Sequence, residues 1–186
     1  MLESQFELRG WRWPVTSLAV LACLCALGPI VFDLEQGLPL SLQSLLVCWL
    51  PLMLGWRAGV AGVLGYLVLG FSGLPVFAGY RGGMDILMGP TAGYLLGMPV
   101  AALALGAMAN ATPENATDRE RYLRIGAGML IGHAVILTLG IPIQMKFIPE
   151  LDVVSLLKGL MKPALLKSAL GLLLSVLVMR LSEMRA

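Results

Sequence analysis

The chain has 186 residues, of which 58% are hydrophobic and 13% charged, with a mean hydropathy of +0.85; soluble domains carry about 45–50% apolar and about 25% charged residues. That composition excludes a soluble globular domain and indicates a single integral membrane domain over residues 1–186. The net charge of +2 comes without a basic cluster interleaved with aromatics, so no nucleic-acid partner is indicated, and Cys23, Cys25 and Cys48 match neither zinc nor thiol-redox spacing.

Residues 1–13 read as a short cytoplasmic lead-in, because Arg9 and Arg12 stand beside Trp11 and Trp13, a pairing that favours the inner interface. Six apolar segments follow, at 14–32, 42–54, 58–71, 86–109, 123–141 and 163–181; the second and third are shorter than the roughly 20 residues an upright span needs. The first is read as a retained helix rather than a signal peptide, since five more apolar segments follow it. The expected fold is an all-α membrane protein, a six-transmembrane-helix bundle with irregular Gly/Pro-rich outer loops.

Threading from an internal amino terminus puts Arg57, the polar loop 110–121 and the carboxy-terminal tail in the cytoplasm. The connector 33–41, the glycine-rich loop and the connector 142–162 then lie outside, and every arginine except Arg81 faces inward. Asn110 and Asn115 each open a glycosylation sequon, but on this topology they face the cytoplasm and read as chance.

The stretch 70–106 is the most unusual. Gly73, Pro75, Gly79, Gly82, Gly83, Gly89 and Pro90 leave little room for regular helix, and irregular backbone at membrane depth is tolerated only where protein or a water-filled cavity satisfies it. It reads as a pocket wall or lid. Small residues at four-residue spacing, Ala22/Ala26, Gly55/Gly59, Gly93/Gly97 and Gly128/Gly132, let helix backbones approach closely. Most read as packing within the bundle, and Ala22/Ala26 also as a contact for another membrane protein.

Few residues here could carry chemistry. Lys167, inside the sixth apolar segment, either snorkels to the outer headgroups or faces a counter-ion, for which a ligand carboxylate is a natural choice. Gln43 and Tyr94 bring an amide and a phenol to the outer membrane edge, where each also fits an interfacial residue. Gly70 to Gly73 spell G-x-S-G and His133 is the only histidine, which raises an intramembrane serine protease; helix depths about 10 Å apart argue against Ser72 meeting it. No phosphate-binding loop with Gly-Lys-Ser/Thr exists, so the chain does not hydrolyse ATP in that way.

Three motifs in this order, PLSLQSL at 39–45, GLPVFAG at 73–79 and GPTAGYLLGMPVAA at 89–102, resemble the BioY family, the substrate-binding S components of energy-coupling-factor biotin transporters. The resemblance covers nearly the whole chain from about 18 to 181. It implies a non-enzymatic biotin-capture subunit of a prokaryotic cell membrane with both termini cytoplasmic, with biotin as cargo and no cofactor. Its partners would be a transmembrane coupling subunit, met through Ala22 and Ala26, and a pair of cytoplasmic ATPases, with a homo-oligomer as a further arrangement.

Carried onto this sequence, the resemblance implies biotin contacts at Gln43, Gly83, Gly89, Tyr94 and Lys167, with Arg81 as a further carboxylate partner and Lys167 drawing the valerate carboxylate. Ala92 replaces a glycine of the family's GPTGGY pattern, and Ala164 stands where the aspartate of a D-x-x-K pair is expected. An alanine cannot accept a ureido hydrogen bond, so another acceptor such as Gln43 or a loop carbonyl is expected to take over. The alternative reading is a carrier for another small vitamin.

Overall fold

A computed structural model describes residues 13–34, 38–113, 115–150 and 152–184. Apart from Trp13, the lead-in 1–13 lies outside the described residues, as does Arg185 of the tail. Helix α1 (Trp13–Leu27) stops where Pro29 follows Gly28, whose N–H closes the last turn on the Leu24 carbonyl at 2.8 Å. The apolar segment at 14–32 therefore does not stay helical to its end. Strands β1 (Val31–Leu34) and β2 (Leu38–Ser41) pair antiparallel in the register Val31 to Ser41. The fold is helical as expected, with this one strand pair added, which satisfies backbone groups that a bare connector would leave to water.

Helix α2 (Gln43–Phe71) is broken at Gly55, whose φ of 81° and ψ of 171° suit only glycine. Pro51 sits one turn before the break, and a Cβ added at Gly59 would strike the Pro51 ring. Residues eight apart lie about 12 Å apart along a straight helix, so the chain folds back at Gly55 and its halves pack on each other. After an irregular loop and a 3-10 turn at Met84–Met88 comes α3 (Ala92–Asn110), so the segment at 86–109 becomes regular helix only from Ala92.

Helix α4 (Asp118–Phe147) opens with a capping box: Thr117 Oγ1 accepts from the Glu120 N–H, and the Thr117 N–H donates to Glu120 Oε2 at 2.8 Å. Helix α5 (Val153–Glu183) is N-capped by Asp152, which accepts from the Ser155 N–H at 3.0 Å. The long outer connector expected at 142–162 is corrected here, because α4 runs on through Phe147 and α5 begins at Val153. Pro142 and Pro163 both lie inside helices.

Four helices, Gln43–Phe71, Ala92–Asn110, Asp118–Phe147 and the Val153–Ser182 part of α5, are long and apolar enough to cross a membrane, and α1 is a shorter apolar helix. Glycines set their spacing. Gly62 lies against Val20 of α1, Gly106 against Trp56, Gly132 against Cys48, and Gly93 and Gly97 against the backbone of α4 at Leu139 and Ile136. Ala22 and Ala26, by contrast, are exposed on α1, away from the buried Val20 and Leu24.

Candidate functional site

The break at Gly55 brings the first half of α2 alongside α4 and α5, and these elements with α3 and the loop 72–91 line a partly open cavity of about 260 Å³. Its wall is largely apolar, with Phe77, Ile86, Leu95, Met98 and Ile136 among its members. Gln43, Arg81, Tyr94 and Lys167, far apart in the sequence, all line it.

Gln43 is the first residue of α2 and is 4% exposed. Its Oε1 accepts from the Ala78 N–H of the loop at 3.4 Å, and its Nε2 points to Met98 Sδ at 3.5 Å. The amide ties the lid backbone to the cavity wall with long, weak bonds. Tyr94, in the first turn of α3, donates its hydroxyl to Gln144 Oε1 at 2.5 Å, and its ring fills the space opposite Gly140, where a Cβ would overlap it.

Lys167 sits near the middle of α5, 8% exposed, and donates to Ser44 Oγ at 2.8 Å. The snorkelling alternative does not hold, since the ammonium turns inward. Among the described residues no aspartate or glutamate lines the cavity, whereas Lys167 and Arg81 both do. Arg81 is exposed in the loop, its Nε donating to the Ala78 carbonyl at 3.3 Å. The space is thus positive at its mouth and in its buried wall. Ala164 lines it too, contributing a methyl group where the family pattern has a carboxylate.

The two loop glycines are placed differently. Gly83 and Gly89 are not part of the cavity lining. Gly83 instead holds the loop shape: at φ 114° it donates its N–H to the Gly70 carbonyl at 2.7 Å, at the end of α2. Phe77 locks the same loop down, 2% exposed, with its ring edge-on to Tyr66 at 5.4 Å and to Phe71 at 5.3 Å, in room left by Gly70. Tyr66 adds a hydrogen bond to the Val76 carbonyl at 2.7 Å.

Several polar wall residues escaped the sequence reading, Ser41 and Thr91 among them. Gln144 fell in the stretch expected to be a connector, Ser44 was overshadowed by its neighbour Gln43, and His133 was considered as a partner for Ser72. The expected partner of a protease does not appear. Ser72 is exposed and donates to the Leu69 carbonyl, while the serine beside His133 is Ser168, at 3.2 Å.

A family model described as the BioY family matches residues 6–185. The chain belongs to the BioY family. Among curated relatives, it is 32% identical over 117 residues to a probable biotin transporter BioY of Pyrococcus horikoshii, covering 63% of this chain and 67% of that one. It is 34% identical over 115 residues to the biotin transporter BioY of Thermotoga maritima, covering 62% of this chain and 59% of that one. With the biotin transporter BioY of Rhodobacter capsulatus the identity is 43% over 95 residues, half of each chain. The chain therefore matches between half and two thirds of the length of these BioY relatives. A solved S-component for biotin from an ECF-type ABC transporter has the same fold, with a TM-score of 0.68 and 21% identity over 88% of this chain and 90% of that one.

Proposed function

We propose that this BioY-family chain captures biotin in the membrane as the substrate-binding subunit of an energy-coupling-factor transporter, without catalysing a reaction. The observation that carries the reading is the meeting of Gln43, Arg81, Tyr94 and Lys167 in one partly open, mostly apolar cavity, together with relatives named as biotin transporters. A cavity of about 260 Å³ lies just under the roughly 300–1,000 Å³ of drug-sized sites, a space for one compact ligand. Two cations with no carboxylate opposite them suit a monoanionic guest, and Lys167 draws its carboxylate from within the wall while Arg81 does so from the mouth.

In this reading the two halves of Gln43–Phe71 each cross the bilayer, which with the other four helices makes six crossings. The cavity opens outward and both termini are cytoplasmic. Gly83 and Gly89 shape the lid over biotin rather than touching it. Ala22 and Ala26, exposed on α1, meet a transmembrane coupling subunit that works with an ATPase pair in a prokaryotic cell membrane.

Nanomolar capture takes about −12 kcal/mol, more than one ion pair supplies, so the apolar wall must provide most of it. Equilibrium binding to the detergent-purified chain is the test. Biotin should bind and should not be displaced by thiamine or riboflavin, and its methyl ester should bind more weakly. Absence of biotin binding, or displacement by another vitamin, would overturn the proposal.

A further inference from the structure

We infer that His133 reads the ligand directly, its Nε2 accepting a hydrogen bond from a ureido N–H of biotin. The inference rests on the biotin reading above and adds a contact that the sequence motifs did not contain. His133 is the only histidine of the chain, lies in the middle of α4, is 5% exposed, and forms part of the cavity wall.

Its neighbours fix which nitrogen carries the proton. Nδ1 stands 2.8 Å from the Met129 carbonyl oxygen, which can only accept. The other group near Nδ1 is Ser168 Oγ at 3.2 Å, and that hydroxyl already donates to the Ala164 carbonyl at 2.8 Å. Both contacts require Nδ1 to donate, so the neutral ring presents Nε2 as a lone-pair acceptor. Nε2 has no open surface of its own and no hydrogen-bond partner among the described residues, so a donor reaches it as a neighbouring wall side chain gives way. Buried polar atoms are rarely left in that condition.

Three other side-chain acceptors of the wall already hold a donor, which leaves the Ser41 and Thr91 hydroxyls, each able to turn to either role. Gln43 Oε1 takes the Ala78 N–H, Gln144 Oε1 takes the Tyr94 hydroxyl, and Ser44 Oγ takes the Lys167 ammonium. Ala164 offers no side-chain acceptor at all. An unengaged imidazole lone pair repels a carboxylate and attracts a polarised N–H. The ligand chemistry that fits it is a cyclic urea or amide donor, which biotin carries on its bicyclic head.

A single histidine makes the test direct. The full chain, labelled with 15N only at histidine and purified in detergent, is titrated with biotin while binding is followed calorimetrically in the same preparation. The unprotonated nitrogen signal should move upfield in step with occupancy and stay in place with saturating N,N′-dimethyl biotin. Binding heat with an unmoved nitrogen overturns the inference and leaves the biotin reading standing, whereas no binding heat overturns the biotin reading itself. A nitrogen that moves equally with the dimethylated ligand also overturns the inference, since it then responds to occupancy alone.

His133→Leu provides the second measurement. It should weaken biotin about ten- to hundredfold, the scale of one hydrogen bond to a buried group, and should abolish discrimination against the dimethylated ligand. His133→Gln, which keeps an acceptor, should recover part of the loss. Retained discrimination in a folded His133→Leu protein counts against the contact, and if that variant does not fold the labelled wild-type chain decides alone.

Discussion

The two walls of the cavity are built on different principles. The lid wall, residues 72–91 with the end of α2, is an irregular segment whose polar groups are largely spent on its own shape: the Gly83 N–H on Gly70, the Tyr66 hydroxyl on Val76, the Ala78 N–H on Gln43. Phe77 anchors it from within. The α4 and α5 wall is regular helix, yet it holds the buried ammonium of Lys167 and the unpaired Nε2 of His133. Irregular backbone here is structurally settled, and regular helix is where binding capacity is kept in reserve. Backbone groups that shape a lid cannot also bind, while a helix satisfies its own backbone and leaves its side chains to the cavity.

The contrast can be broken most forcefully at Phe77. Removing a ring packed against Tyr66 and Phe71 should cost about 3–5 kcal/mol, so Phe77→Ala should lower the melting temperature in detergent substantially and weaken biotin binding with it. A variant that melts like wild type would mean the lid is not held by this anchor. Lys167→Ala should do the converse, leaving melting nearly intact while reducing biotin affinity by about ten- to hundredfold, as for a charged hydrogen bond worth about 1.5–3 kcal/mol. Unchanged affinity in an equilibrium titration would remove Lys167 from the site and shift the ligand's charge partner to Arg81.

Gly140 sharpens the comparison within the helical wall. A side chain there overlaps the Tyr94 ring, and overpacking of this kind costs about 1–3 kcal/mol, so Gly140→Val should displace Tyr94, break its bond to Gln144 and weaken binding. Tyr94→Ala in the same background should restore the melting temperature by relieving the overlap, and failure to do so would place the strain elsewhere.

The smallest effect is expected at Asp152, far from the cavity. The Ser155 backbone N–H and then its hydroxyl hold the Asp152 carboxyl below the usual carboxylate range. A carboxyl depressed in the folded state contributes stability above its unfolded value, about 3.9, and loses that contribution as pH falls through the folded value. Asp152→Ala should therefore melt slightly below wild type at pH 7, and the gap should close below about pH 4. A gap that persists in acid would show that the carboxylate cap is not its source.

Much of the helical frame was legible because spans in lipid must be apolar and long, and the apolar segments at 42–54 and 58–71 flank the break now seen at Gly55. The connectors held more regular structure than expected. Residues 31–34 pair with 38–41, and 142–162 is mostly helix despite Pro142, Lys146, Lys158 and Lys162. Charge and proline content describe what a segment faces, whereas helix continuation depends on caps and neighbours, such as the Asp152 cap that starts α5 ten residues earlier than expected. Gln144 and its bond to Tyr94 went unread for that reason.

The sequence by itself determined that the chain lives in a bilayer, that its helices pack through glycine, and that Gln43, Arg81, Tyr94 and Lys167 are the polar residues worth following. Those facts are local, set by side-chain transfer free energies and by motif order. Only the tertiary structure decided that four residues from four different parts of the chain share one cavity, that Gly83 and Gly89 lie outside its lining, and that His133 turns its proton away from Nε2. Each of these depends on which helix faces meet and which hydrogen bonds are already taken, and neither is written in any one stretch of sequence.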